Sequence, residues 1–382
     1  MSRAGRAFAV HALCAALAAV AACGDNLDPP IESTTGAPLQ LADRLMIVAH
    51  LDDDLIFMQP DLVDLAEHGA VTTVYVLSGD PKHGPGGAER TMLATRTAYG
   101  HAIGTDAWDC GLVTIGVLHA RHCRNLARPV SLIALGVPDG GRHDERAESA
   151  VHLVEGALPA LHAQGPRAGL VTRDGLIGAL AQIITATAPA ELHTLDATGV
   201  HGDDHPGHMI TASFALWAAA LASYDGPIVA HRGYNVAGER ETLSAADYAR
   251  AKPMMAYFEA CYLGCAPCGQ ACPTLDPMHD AWLRHPYAHR SVPTRGYLMS
   301  AERAGGCLAR TASGRLGLAP CDDDSVADDR VWLGDDHHLH LGGLCAASGR
   351  RRDTAIVLVT CADHPAQYWR LDDEGLVING RP

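Results

Sequence analysis

Leu45-Met46-Ile47-Val48-Ala49-His50-Leu51-Asp52-Asp53-Asp54 is the stretch whose reading decides the fold. Five apolar residues in succession, with no apolar/polar alternation, describe a strand buried on both faces, as in a parallel sheet covered by helices. The run empties directly into a histidine and three carboxylates. Polar residues gathered just after a buried parallel strand lie at its carboxyl end, where open α/β sheets bind their ligands. The decapeptide therefore predicts an α/β domain and the place of its chemistry.

Working outward, the same alternation of strands and helices continues. Residues 60–68 read as a helix, 71–77 as a strand rich in β-branched residues, and 88–103 as a helix carrying Arg90 and Arg96. Strands are expected at 130–137 and 190–195, with a helix at 174–187 capped by Asp174 between them. A helix over 206–222 puts His205 just before its start and His208 in its first turn, and 228–230 suits a short final strand. The predicted domain, residues 43–292, is a doubly wound, mostly parallel sheet with helices on both faces.

At 382 residues, a smaller module beside this domain is expected. With 48% hydrophobic residues and 39 Gly, fibrous and disordered classes are excluded. Residues 1–22 read as an export signal, because Arg3 and Arg6 precede an apolar stretch broken only by His11. Val20-Ala21-Ala22-Cys23 resembles the bacterial lipobox, which implies lipidation at Cys23 and a cell-envelope lipoprotein held to a membrane without inserting into it. The plainer reading is an ordinary signal cut nearby. Residues 23–42, with Pro29, Pro30 and Pro38, suit a flexible tether either way. The formal charge is −15, or −17 without Arg3 and Arg6, so nucleic acid is excluded as a partner. Apart from Cys14 and Cys23, ten of the 12 cysteines remain, which fits disulfides in an oxidising compartment.

His50 and Asp53, three apart on a tight loop, can bring an imidazole and a carboxylate to one metal ion, with Asp52 between them as a base for water on that ion. Read blandly, the same residues are a helix N-cap with acidic first-turn charge. A third ligand is needed, and His208 in His205-Pro206-Gly207-His208 is the best candidate, with His205 left to face substrate. Other clusters, His119 with His122 and His337-His338-Leu339-His340, read as solvated surface.

Taken in order, Ala49-His50-Leu51-Asp52-Asp53-Asp54, Leu77-Ser78-Gly79-Asp80, Pro138-Asp139-Gly140, Leu195-Asp196, His205-Pro206-Gly207-His208, Arg232-Gly233-Tyr234, and Lys252 followed by Tyr257 resemble the PIG-L (LmbE-like) deacetylase family. The resemblance implies a Rossmann-like fold, a Zn2+ cofactor and removal of an acetyl group from an N-acetylated amino sugar such as an N-acetylglucosaminyl glycan or glycoconjugate. Carried over by position, His50, Asp53 and His208 match the metal ligands, Asp52 the general base, and His205 the residue that stabilises the oxyanion or protonates the amine. Arg90, Arg96 and Asp80 are substrate-binding candidates, although both arginines also read as plain surface. Three departures stand out. Leu51 replaces the family's proline, which frees the loop and loosens the metal; Asp54 replaces a glutamate; Gly207 replaces an aspartate that would orient a ligand. An inactive relative is one consequence of such changes. The competing functions are a non-catalytic carbohydrate-binding envelope lipoprotein and an amidase for an acylated small metabolite.

Past Ala260 the composition changes. Cys261, Cys265, Cys268 and Cys272 crowd a loop at 261–273 rich in Gly and Pro. Structural zinc sites separate their cysteine pairs widely, so two local disulfides of open connectivity are expected, with a further bridge between Cys110 and Cys123. Residues 293–382 hold an internal repeat: Cys307 to Cys345 spans 38 residues, Cys321 to Cys361 spans 40 and Trp332 to Trp369 spans 37. Bridges Cys307–Cys321 and Cys345–Cys361 would staple each unit. The repeat resembles the ricin-type β-trefoil lectin, with Gln367-Tyr368-Trp369 as its Gln-x-Trp signature, yet it is partial, and residues 375–379 read as the first strand of a third unit. Ala309 and Ala347 stand where sugar-binding units carry aspartate, so a mainly structural module with Trp332 and Trp369 in its core is expected.

Overall fold

The computed structural model describes residues 38–79, 86–143, 146–165, 169–197, 204–291, 306–310, 316–320, 331–333, 336–341, 343–348, 356–371 and 377–379. The expected signal at 1–22, Cys23, Asp80, Cys321 and the expected boundary at 292/293 lie outside them. Leu39 packs on the core, and the Ala42 N–H donates to Thr187 O at 2.9 Å.

The centre is an eight-stranded mixed sheet flanked by helices. Five strands run parallel in the order β9 (Ile228–His231), β8 (Glu191–Leu195), β1 (Arg44–Val48), β2 (Val71–Tyr75), β5 (Val130–Ala134). All five residues of β2 and β8 are buried, and of β1 all but Arg44. That is what a run of Leu, Met, Ile and Val without alternation requires. Thr194 Oγ1 donates to Ile47 O at 2.9 Å, so even a polar side chain inside the sheet is satisfied.

β6 (Leu161–His162) and β7 (Leu170–Val171) pair apart from this sheet, and antiparallel strands finish both its edges. On one side β10 (Ala288–Ser291) pairs with β9; on the other, β3 (Trp108–Ile115) and β4 (Leu118–Asn125) form a hairpin against β5. Cys110 and Cys123 face each other in its register and are disulfide-bonded, as expected. The hairpin corrects the reading of His122, which is buried on β4 beside Ser131 Oγ at 3.3 Å rather than solvated.

The helices are α1 (Asp53–Phe57), α2 (Asp61–His68), α3 (Gly87–Ile103), α4 (Ala150–Val154), α5 (Arg173–Thr187), α6 (Pro206–Leu221), α7 (Ala245–Leu263) and α8 (Pro277–Leu283). α5 starts one residue earlier than expected and is capped by Thr172, whose hydroxyl accepts the Gly175 N–H at 3.0 Å, not by Asp174. α3 packs on α7, and α6 on α5, β8 and β1. Beyond α7 the cysteine-rich loop is closed by the pairs Cys261–Cys268 and Cys265–Cys272. Among the described residues no helix is long and apolar enough to cross a membrane.

Past residue 305 every described strand is short. β11 (Gly306–Arg310) pairs with β12 (Leu316–Pro320), and β13 (Val331–Leu333) with β14 (Leu339–Leu341). The second unit repeats the plan with β15 (Leu344–Ala347) on β16 (Val357–Thr360) and β17 (Trp369–Leu371) on β18 (Val377–Asn379). Residues 377–379 therefore close the second unit as β14 closes the first, instead of opening a third. Cys345–Cys361 is formed. Trp369 is a core residue, buried with Val331, Leu339, Leu341 and Ala346, and its Nε1–H donates to Ala346 O at 2.8 Å. The side chains of Cys307 and Trp332 lie outside the described residues.

Candidate active site

The site forms where β1 ends, between neighbours β2 and β8. From Val48 the chain turns through His50 into α1. The turn is closed by the His50 N–H, which donates to Asp53 Oδ2 at 2.7 Å. Leu51 lies within this loop. Its side chain is buried, and its carbonyl accepts the Thr95 hydroxyl of α3 at 2.6 Å. Asp54 also fits its place: one carboxylate oxygen accepts the hydroxyls of Tyr75 (2.9 Å) and Tyr99 (2.6 Å), and the other the Leu55 N–H (3.0 Å).

The second half comes from the start of α6. His205 is the N-cap and Pro206 the first helical residue, a position where a missing N–H costs nothing. His205 Nδ1 accepts the Gly207 N–H at 3.0 Å, so the one proton of the neutral ring sits on Nε2 and points away from the helix. His208, one turn in, is fully buried. Its Nδ1 lies 3.0 Å from Asp204 Oδ1, which directs Nε2 inward. Asp204 thus supplies the orienting carboxylate that Gly207 appeared to remove.

Between these halves the ligand atoms converge. His208 Nε2 is 3.1 Å from Asp53 Oδ1, and His50 Nδ1 is 3.5 Å from Asp53 Oδ2. The three groups lie close enough to share one ion. His50 Nδ1, Asp53 Oδ1 and His208 Nε2 are buried, and none has a hydrogen-bond partner among the described residues. Buried polar atoms are rarely left so. Two imidazole nitrogens and a carboxylate oxygen, each lacking a partner and facing one another, fit a metal cation. On the far side of His50, Asp139 Oδ1 stands 3.6 Å from His50 Nε2 and 3.9 Å from His205 Nε2.

The electrostatics agree. Burial disfavours a charged His208, yet Asp53 and Asp204 outweigh it and lift its pKa to about 9. Burial likewise opposes charge on His50, and Asp53 and Asp139 overcome it, holding its pKa well above the ordinary value. Against burial, His208 and His50 press Asp53 below the usual carboxylate range. The cluster attracts positive charge at its centre. His205 differs: burial, then the cationic His50 and His208, depress it to about 4, so its ring is neutral near pH 7. Asp52 is raised by burial and by the neighbouring Asp53 carboxylate, the direction that suits a base.

A cavity of about 150 Å³ opens beside this cluster, with His50, Asp52 and His205 on its wall and Ser78, Thr91, Tyr234 and Tyr262 around it. Five expected residues, His50, Asp52, Asp53, His205 and His208, thus meet at one place. Arg90 is exposed on α3 and Arg96 donates to Cys110 Sγ at 2.9 Å; neither lines the cavity, whereas Ala88 and Thr91 of the same helix do. Asp80 lies outside the described residues. Sequence reasoning gave no role to Asp139, Asp204 or Tyr234. The first and last sit in stretches already noted, Pro138-Asp139-Gly140 and Arg232-Gly233-Tyr234, and Asp204 directly precedes His205.

No curated protein matches the chain. Residues 45–219 match the model of the family described as PIG-L, GlcNAc-PI de-N-acetylase. That span holds both halves of the site, from β1 to the first turn of α6, and residues 45–219 are accordingly a PIG-L family domain.

Proposed function

We propose that this chain is a zinc-dependent N-deacetylase that hydrolyses the acetamide of an N-acetylglucosaminyl glycan or glycoconjugate. The observation that carries the reading is the trio of buried atoms, His50 Nδ1, Asp53 Oδ1 and His208 Nε2, that have no hydrogen-bond partner among the described residues and stand beside a cavity walled by Asp52 and His205. His50, Asp53 and His208 would hold the ion, which when bound supplies Lewis acidity to the amide carbonyl and acidifies water. Asp52 takes the proton from the attacking water. His205, neutral with its proton on Nε2, donates a hydrogen bond to the carbonyl oxygen as negative charge develops there. The proton held by Asp52 then passes to the departing nitrogen, leaving acetate and a free amine. Tyr234 and Tyr262 give the cavity aromatic walls suited to the apolar face of a sugar ring. Export and lipidation at Cys23 would place this activity in the cell envelope, with the C-terminal strands a structural module.

The test is metal analysis of the purified chain coupled to acetate release from a panel of N-acetylated amino sugars. Wild type should hold zinc and release acetate, and Asp52→Ala should retain zinc while losing at least a hundredfold in rate. Absence of bound metal, or an Asp52→Ala variant as fast as wild type, overturns the mechanism. Release from acylated small metabolites but from no amino sugar would overturn the substrate. Cys23→Ala should abolish lipid labelling, and unchanged labelling would remove the anchor.

A further inference from the structure

We propose that Asp336, His338 and His340 form a second divalent-cation site, of the zinc type, on the C-terminal strands. His338 and His340 lie two apart at the start of β14, so their side chains project to the same face. Their ring centroids are 6.0 Å apart. His337, between Asp336 and this pair, has a left-handed φ of 61°, and the turn brings the Asp336 carboxylate back over the strand, where Oδ1 accepts the His338 N–H at 3.2 Å. The carboxylate is thereby placed against both imidazoles. Asp336 Oδ2 is 3.2 Å from His338 Nδ1, and its two oxygens are 2.9 and 3.0 Å from His340 Nε2. An ion with donor bonds of about 2.0–2.2 Å in tetrahedral array holds its donors about 3.3–3.6 Å apart, close to these separations.

The tautomer of His338 points to a ligand. The residue is 8% exposed, and its Nε2 lies 3.0 Å from Ala362 O. A carbonyl can only accept, so Nε2 carries a proton and, in the neutral ring that a metal ligand must be, Nδ1 holds a lone pair. That lone pair faces a carboxylate oxygen, and Nδ1 has no hydrogen-bond partner among the described residues. Two acceptors facing each other repel, whereas a cation between them satisfies both. His340 is oriented to complete the set. Its Nδ1 stands 3.7 and 3.9 Å from the sulfurs of Cys345 and Cys361, which turns Nε2 toward Asp336. Those cysteines are joined in a disulfide and are not ligands themselves. Two imidazoles and one carboxylate favour zinc and its neighbours over magnesium or calcium, and leave a position for water.

Calorimetric titration of the full chain with zinc chloride tests the site, with His208→Ala introduced to remove the candidate active-site ion. In that background one equivalent of Zn2+ should bind, and His338→Ala should abolish it. His340→Ala and Asp336→Asn, which leave the Ala362 hydrogen bond in place, should each weaken it at least tenfold. His337→Ala should bind as its parent does. Undiminished stoichiometry and affinity in both His338→Ala and His340→Ala overturns the proposal, as does an equal loss in His337→Ala, which would mark adventitious binding to surface histidines. Because the count is taken without His208, it does not depend on whether the candidate active site holds zinc.

Discussion

Asp204 Oδ1 sits 3.0 Å from His208 Nδ1 and takes the backbone N–H groups of His205 and Tyr234 at 2.7 and 3.0 Å. One oxygen thus joins the start of α6 to the segment after β9 and fixes which nitrogen of His208 faces Asp53. Burial alone would raise the Asp204 pKa, but His208 and the two N–H groups hold it below the ordinary range. The orienting carboxylate stays charged across neutral pH and keeps the His208 ring basic.

Asp204→Ala should therefore lower the affinity for the active-site metal by about 10–100-fold. Competition between the full chain and a zinc chelator measures this directly. Wild-type affinity in Asp204→Ala would show that His208 needs no such partner.

Gly233 is required by the same arrangement. A Cβ there would fall on the Asp204 carboxylate and on His208 Nδ1, none of which can retreat without breaking the pair. Gly233→Ala should cost about 1–3 kcal/mol in stability and weaken metal binding together. Thermal unfolding and metal content, read on one preparation, check both. An alanine variant with unchanged metal content would mean that the pair can shift intact.

The ease of reading the site from sequence follows from how local its signals are. His50, Asp52 and Asp53 were visible because a buried strand and its polar exit are adjacent in the chain, and His205 and His208 because a proline between two histidines marks a helix start. Asp139 and Asp204 were assigned nothing, since what makes them matter is an atom brought from a distant segment. The β3–β4 hairpin was missed for a related reason. Its strands carry His119, Arg121, His122 and Arg124, a composition that looks solvated until pairing with β5 buries alternate residues. The repeat spacing revealed two units near the C-terminus, yet the partner of residues 377–379 could only be learned from the pairing with β17.

Thr95→Val tests the hydrogen bond that ties α3 to the loop after β1. Valine preserves shape but leaves the buried Leu51 carbonyl without the hydroxyl that now donates to it at 2.6 Å. A buried acceptor stripped of its donor costs about 1–3 kcal/mol. Chemical denaturation should show that loss, with the metal released at a lower denaturant concentration than in wild type. Unchanged unfolding and metal release would mean that the loop is held by the Leu51 side chain instead.

Asp54 gives the fold a pH dependence whose sign can be worked out. Burial lifts its carboxyl to about 7 despite the hydroxyls of Tyr99 and Tyr75. Unfolded, it titrates near the ordinary aspartate value, so between there and about pH 7 the folded chain binds the extra proton. A group whose folded pKa is raised contributes stability that is complete below its unfolded pKa and is lost as pH climbs through the folded one. This residue should therefore lower stability on going from pH 4 to pH 7, by up to about 1.4 kcal/mol per pH unit, and add no slope above that. Asp54→Asn, which keeps a carbonyl acceptor for the tyrosines and cannot ionise, should remove that component of the slope. Denaturation of both chains at pH 4.5, 6, 7 and 8 makes the comparison. Parallel curves for wild type and Asp54→Asn would show that Asp54 does not exchange its proton over this range in the folded protein.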